Sequence, residues 1–144
     1  MPIRQVVYVS SGTRDFAHSE LKAIADVGRH NNNGNGVTGV LIHYNGNFLQ
    51  LLEGAPEDVE STFLRIVADE RHVGLIKLQD SIIAERMFPD YGMAFHGVSN
   101  SEATSYPDLF EKKNNVWKLK NGADFDNKIA ILMKTFLSIN SGER

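Results

Sequence analysis

Four residues of this 144-residue sequence have types and positions that point to chemistry: Tyr8, Asn31, Asn32 and Gln50. Gln50 stands inside "GNFLQLLEG" (46–54), which reads as a strand. Side chains alternate across a strand, so Phe48, Gln50 and Leu52 share one face while Leu49, Leu51 and Glu53 share the other. An amide among apolar neighbours carries two donors and an acceptor, and leaving them unpaired costs about 1–3 kcal/mol. Tyr8 is likewise mid-strand in "VVYVSSG", and Asn31 and Asn32 close a helix whose apolar face must lie on the same sheet. Two arrangements satisfy the amide. One is a tyrosine–glutamine pair inside a core, the reading that periodicity alone favours. The other is a planar polar ligand between two helices, its edge bonded to the amides and its faces against Ile24 and Ile66.

Other chemistries find little support. There is no cysteine, which excludes disulfides, thiolate nucleophiles and cysteine-ligated zinc. The five histidines (18, 30, 43, 72 and 96) show no H-x-x-x-H or H-E-x-x-H spacing, and no G-x-S-x-G elbow is present. "GNGVTG" (34–39) matches the dinucleotide fingerprint letter by letter, but a helix precedes it and a strand follows, the reverse of what pyrophosphate binding at a helix N-terminus requires. Its glycines read as turn chemistry and close packing. Asp69, Arg71 and His72 in "ADERHVG" read as a polar helix C-terminus, with ligand contact the minority reading.

The elements that position these residues follow from spacing. Ile3 to Ser10 is β-branched and aromatic, a strand ended by "SSGT". Leu21, Ile24, Ala25 and Gly28 recur at helical spacing from His18 or Ser19 to about Asn31, where "NNNGNG" is expected to stop the helix. Val37–Tyr44 and Gly46–Glu53 flank a hairpin turn at "NG". A second helix starts near Pro56, with Glu57 and Asp58 in its first turn and Val59, Phe63, Ile66 and Val67 on one face, and runs to about Arg71. Extended segments follow at about 75–83 and 91–98. After a polar stretch, an amphipathic helix over about 123–139 carries Ile129, Leu132, Met133 and Phe136. The order predicts an α+β, ferredoxin-like sandwich: a five-stranded mixed sheet, two helices on one face, and a C-terminal helical segment.

A net charge of -3 and a pI near 5.9 disfavour general nucleic-acid binding, which needs a basic face to displace phosphate counterions. No run approaches 18 apolar residues, so no membrane span or signal peptide is expected. The missing cysteines fit a reducing compartment, with cytoplasm the expected location.

Over roughly residues 3–98 the sequence resembles the BLUF family, blue-light sensors that use FAD. The resemblance rests on "VVYVSSG", on "NNNGNGVTGVLIHYNGNFLQLLEG", and on "LRIVADERH" followed by "ERMFPDYGM", in order and suitably spaced. It implies a photosensor unit over residues 1–98, a C-terminal extension over 99–144, and FAD as cofactor. Tyr8, Ile24, Asn31, Asn32, Gln50, Arg65, Ile66 and Arg71 match positions around the flavin. Ile24 and Ile66 would sandwich the ring, Asn32 would hold its O4/N3 edge with Asn31 nearby, and Arg65 and Arg71 would lie at the pyrimidine edge or the ribityl-phosphate side. Gln50 would bridge the Tyr8 hydroxyl and the flavin.

In such a receptor light excites oxidised FAD, Tyr8 gives an electron and then a proton, and recombination leaves Gln50 in a changed hydrogen-bonded state that reverts in darkness. Met93 matches the family's methionine beside the switching glutamine. Tyr91 departs from the family, many members carrying tryptophan there; the sole tryptophan, Trp117, lies outside the matched stretch. No catalytic acid or base stands out, so the resemblance implies a sensor and not an enzyme, acting through a downstream response protein, with a homo-oligomer expected and neither a membrane nor direct nucleic-acid binding. The rival reading is a non-photochemical ferredoxin-like binding or scaffold domain with Tyr8 and Gln50 as core residues.

Overall fold

In the computed structural model, Tyr8 and Gln50 face each other on adjacent antiparallel strands, β1 (Ile3–Gly12) and β3 (Asn47–Gly54), as direct register partners. The residues described are 2–14, 16–88, 94–99, 102–106, 110–113, 116–119 and 127–140. Between β1 and β3 in sequence lie helix α1 (His18–Asn35) and strand β2 (Thr38–Tyr44). The β2–β3 turn has Asn45 at φ 51° and Gly46 at φ 80°, the left-handed pair that matches the twist of a two-residue hairpin. Helix α2 (Pro56–Val67) opens with Pro56, Glu57 and Asp58, as the orphan N–H groups and dipole of a helix start favour.

The sheet runs β4 (His72–Ile83), β1, β3, β2, β5 (Ala94–Ser99), β6 (Glu102–Tyr106), and all neighbours are antiparallel except β2 and β5. The order 4-1-3-2 with two helices is the ferredoxin-like arrangement, and parallel β5 makes the sheet mixed. Six strands replace the expected five, and the sheet continues past residue 98. The sixth comes from "EATSY", whose polar composition hid it; an edge strand paired on one side needs no apolar alternation. Nor is the C-terminal segment helical throughout, because β7 (Phe110–Lys113) and β8 (Val116–Leu119) form a separate hairpin before α3 (Asn127–Asn140).

Alternation sorts the core into two layers. Val6, Tyr8, Leu41, Phe48 and Leu52 point toward α1 and α2, where Leu21, Ala25, Val59 and Phe63 meet them. Val7, Val40, Ile42, Leu49 and Leu51 point the other way, onto Ile129, Met133, Phe136 and Leu137 of α3. Leu132, expected on that stripe, is partly buried beside it. The third helix therefore covers the opposite sheet face.

Two helix ends differ from expectation. Helix α1 passes through the asparagine run and stops at Gly36, whose φ of 71° suits glycine and whose N–H bonds Asn32 O. Helix α2 ends at Val67 rather than near Arg71, because Asp69 turns its carboxylate onto the Arg71 backbone N–H at 2.9 Å and the chain leaves the helix. Gly39 answers the second half of the glycine reading: a Cβ there would lie 2.0 Å from Leu51 O, so only glycine lets β2 approach β3.

Candidate functional site

Between α1, α2 and the sheet lies a cavity of about 160 Å3. A water occupies roughly 30 Å3, so this space suits several waters or a ligand and is not a sealed core contact. Its floor is Tyr8, Ser10, Leu41, Phe48 and Gln50; α1 supplies Ile24, Val27, Gly28, Asn31 and Asn32; α2, the following turn and the first residue of β4 supply Thr62, Arg65, Ile66, Asp69, Arg71 and His72. All eight residues matched to flavin-lining positions thus border one cavity. Met93 and Tyr91 lie outside the described residues.

Strand alternation places the central pair. The Tyr8 hydroxyl donates to Gln50 Oε1, with the two side chains 1% and 8% exposed. Phe63 packs edge-on against the Tyr8 ring, centroids 5.4 Å apart. Burial disfavours the phenolate and pushes the Tyr8 ionisation well above 10. Tyr8 therefore keeps its proton at neutral pH and holds it on an amide oxygen. Asn32 is fully buried in the last turns of α1, while Asn31 is half-buried beside it. Asn35 fixes this helix end by donating to Thr62 Oγ1 on α2 at 2.9 Å. Ile24 and Ile66 are partly buried against the core layer, one on each helix.

The cavity mouth is charged. Arg71 makes a forked ion pair with Asp69, with Nε at 2.9 and 3.0 Å from the two carboxylate oxygens. That pair lowers the Asp69 pKa and raises that of Arg71. His72 contacts Ile66 O at 2.7 Å. Arg65 and Arg71 are exposed. Asp69 and His72, which sequence reasoning left as a helix terminus, belong to the lining; their signal was adjacency to Arg71 after a helix pointing into the cleft. Ser10 and Thr62 were missed. A serine two residues beyond Tyr8 on the same strand face was the available clue for the first.

Ser10 also tests whether the residues fit a polar cofactor. Its hydroxyl is buried on the cavity floor with no hydrogen-bond partner among the described residues. Such an oxygen costs about 1–3 kcal/mol unless something in the cavity meets it. Flat apolar side chains on two helices, buried amides at one end, an orphaned hydroxyl and cations at the mouth fit a ring with a polar edge and an anionic tail.

Residues 3–94 match the family model described as sensors of blue-light using FAD. The chain belongs to the BLUF family. FAD is the cofactor that defines this family. Among curated BLUF relatives, photoactivated adenylate cyclase subunit beta from Euglena gracilis is 34% identical over 84 residues, 58% of this chain. The chain spans about 10% of that protein's length. Among solved structures, a bacterial light-regulated adenylyl cyclase superposes with a TM-score of 0.66 at 25% identity, covering 95% of this chain and 34% of the other. The BLUF protein BlrB in its dark state gives 0.63 at 26% identity, with 67% and 73% covered. No helix among the described residues is long and apolar enough to cross a membrane, and no acidic or histidine cluster among them could hold a metal ion.

Proposed function

We propose that this BLUF protein is a blue-light receptor that holds FAD in the cavity between α1 and α2 and switches through Tyr8 and Gln50. One observation carries the reading: a buried phenol donates to a buried amide on the floor of a cavity lined by further amides. Bound FAD would supply absorption in the blue and, once excited, an electron acceptor. Tyr8 is the electron and proton donor, a phenol on the cavity floor held protonated by burial. Gln50 is the switch, since its amide presents an acceptor at one end and donors at the other and so has two pairing schemes of similar energy. Asn31 and Asn32 hold the polar ring edge, Ile24 and Ile66 flank the ring, Ser10 meets a polar group of the cofactor, and Arg65 and Arg71 meet its pyrimidine edge or phosphates.

The output is a changed contact with a response protein, passed through Met93 and α3; the chain is a sensor rather than an enzyme, working in the cytoplasm as a homo-oligomer. Purified protein should be yellow and show a red shift of its flavin band under blue light that reverses in darkness. A colourless protein that cannot be reconstituted with FAD overturns the proposal.

A further inference from the structure

On the sheet face away from the cavity, three residues beyond Gln50, stands a wholly buried carboxylate outside the cavity lining. Glu53 is 0% exposed. Gln5, its register partner on β1, donates to Glu53 Oε2 at 2.9 Å; the backbone N–H of Met87 donates to the same oxygen at 2.9 Å and that of Phe88 to Oε1 at 2.8 Å. Gln5 is itself oriented by Gln79 on β4, which donates to Gln5 Oε1 at 2.6 Å. A carboxyl group taken wholly out of water needs hydrogen-bond partners, and the oxygens of this one are met by N–H groups from β1 and from the connection between β4 and β5. The preceding residue tightens the same junction, as Arg86 donates to Gly36 O at 2.7 Å, to Thr38 Oγ1 at 3.0 Å and to Glu53 O at 3.2 Å. The bonds thus gather the end of the Gln50 strand, the C-cap of the Asn32 helix and the start of β2 onto residues 86–88.

Phe88 is the other half of the arrangement. It is 2% exposed and buried in the same cluster as Ile129, Met133, Phe136 and Leu137 of α3. We propose that Glu53 is a positioning residue that latches the Gln50 strand to Phe88 and through it to α3, so that a rearrangement at Gln50 is transmitted across the sheet to the third helix. This rests on the photoreceptor reading above. A displacement of β3 moves the carboxylate and the two backbone N–H groups bonded to it, and with them a Phe88 side chain buried in the cluster that α3 completes.

The test is amide hydrogen exchange on the full FAD-loaded chain, dark and blue-lit, for wild type, Glu53→Gln and Phe88→Leu, with the flavin shift recorded on the same samples. Glu53→Gln keeps the shape but replaces one acceptor with a donor. Phe88→Leu keeps the carboxylate and its bonds and alters only the packing. The flavin shift should be full in all three. The Met87 and Phe88 amides should exchange roughly tenfold faster in Glu53→Gln. Wild type should show a light-dependent change over residues 127–140 that is lost in both variants. A wild type that shifts without that change, or a variant that keeps it, overturns the latch and leaves the flavin reading standing. Absence of the shift in wild type overturns the flavin reading and the latch with it.

Discussion

A phenol and an amide that satisfy each other make a stable core contact, and what turns this contact into a candidate switch is the space beside it. Tyr8→Phe removes the hydroxyl that donates to Gln50 and should retain FAD while abolishing the normal light-induced red shift, as followed by dark and lit absorption spectra. Gln50→Leu should do the same. Retention of the full wild-type photocycle by either variant would refute these roles. Asn32→Ala leaves polar ring atoms unpaired in a buried corner, a loss of about 1–3 kcal/mol, so FAD affinity in a titration should fall roughly tenfold to a hundredfold.

Tyr8 also sets an alkaline signature. Its folded-state ionisation lies well above the unfolded value near 10, so the benefit of keeping it neutral is fully present below pH 10 and is lost as pH rises beyond it, when the unfolded chain ionises. In the folded protein, tyrosinate absorbance near pH 10 should be the same in wild type and Tyr8→Phe, and the two should differ only after unfolding.

Among the elements, β2 and β3 are held at a spacing that only Gly39 allows. Gly39→Ala would put a methyl 2.0 Å from Leu51 O, which the backbone can relieve only by parting the two strands. The expected loss is about 3 kcal/mol or more in chemical denaturation. Because Gln50 sits on the displaced strand, the flavin band should broaden as well. A wild-type midpoint in this variant would mean that β2 does not approach β3 as described.

Over the whole molecule, charge pairs tie α2 to the sheet edge. Arg4 on β1 reaches Glu60 on α2 and Asp80 on β4, and Lys77 joins Asp80 at 2.9 Å. Hydrogen bonds from Arg4 and then Lys77 hold the Asp80 carboxyl far below the usual carboxylate range, as Arg71 lowers Asp69 at the cavity mouth. For a lowered carboxyl the stabilisation is present above the unfolded pKa and lost as pH falls. Thermal stability should therefore decline below about pH 4, and Asp80→Asn should flatten that decline. The effect is modest and salt-sensitive, because these groups are partly exposed.

The sequence by itself determined β1, the β2–β3 hairpin, the starts of the two cavity helices, and the sheet face that Tyr8 and Gln50 share. Period-two alternation fixes which side chains share a face, and the Asn45–Gly46 turn fixes the β2–β3 register, which sets where Gln50 stands. Two of the three glycines of "GNGVTG" were legible, since the left-handed φ of Gly36 and the backbone contact at Gly39 leave no other residue type comfortable, whereas Gly34 lies inside α1 with open space around it. Where α1 ended was not legible: asparagine side chains bond to whatever tertiary partners they find, and Thr62 on another helix held Asn35. Strand β6 escaped notice because an edge strand owes its pairing to its neighbour rather than to an apolar pattern of its own. Only the tertiary structure brought Asp69 and His72 to the cavity mouth, showed Ser10 without a partner among the described residues, and chose the open sheet face for α3. The same holds for Glu53, which in sequence is one more polar residue after a leucine pair. Its meaning depends on Met87 and Phe88 arriving from more than thirty residues away, and such contacts leave no periodicity in the chain that makes them.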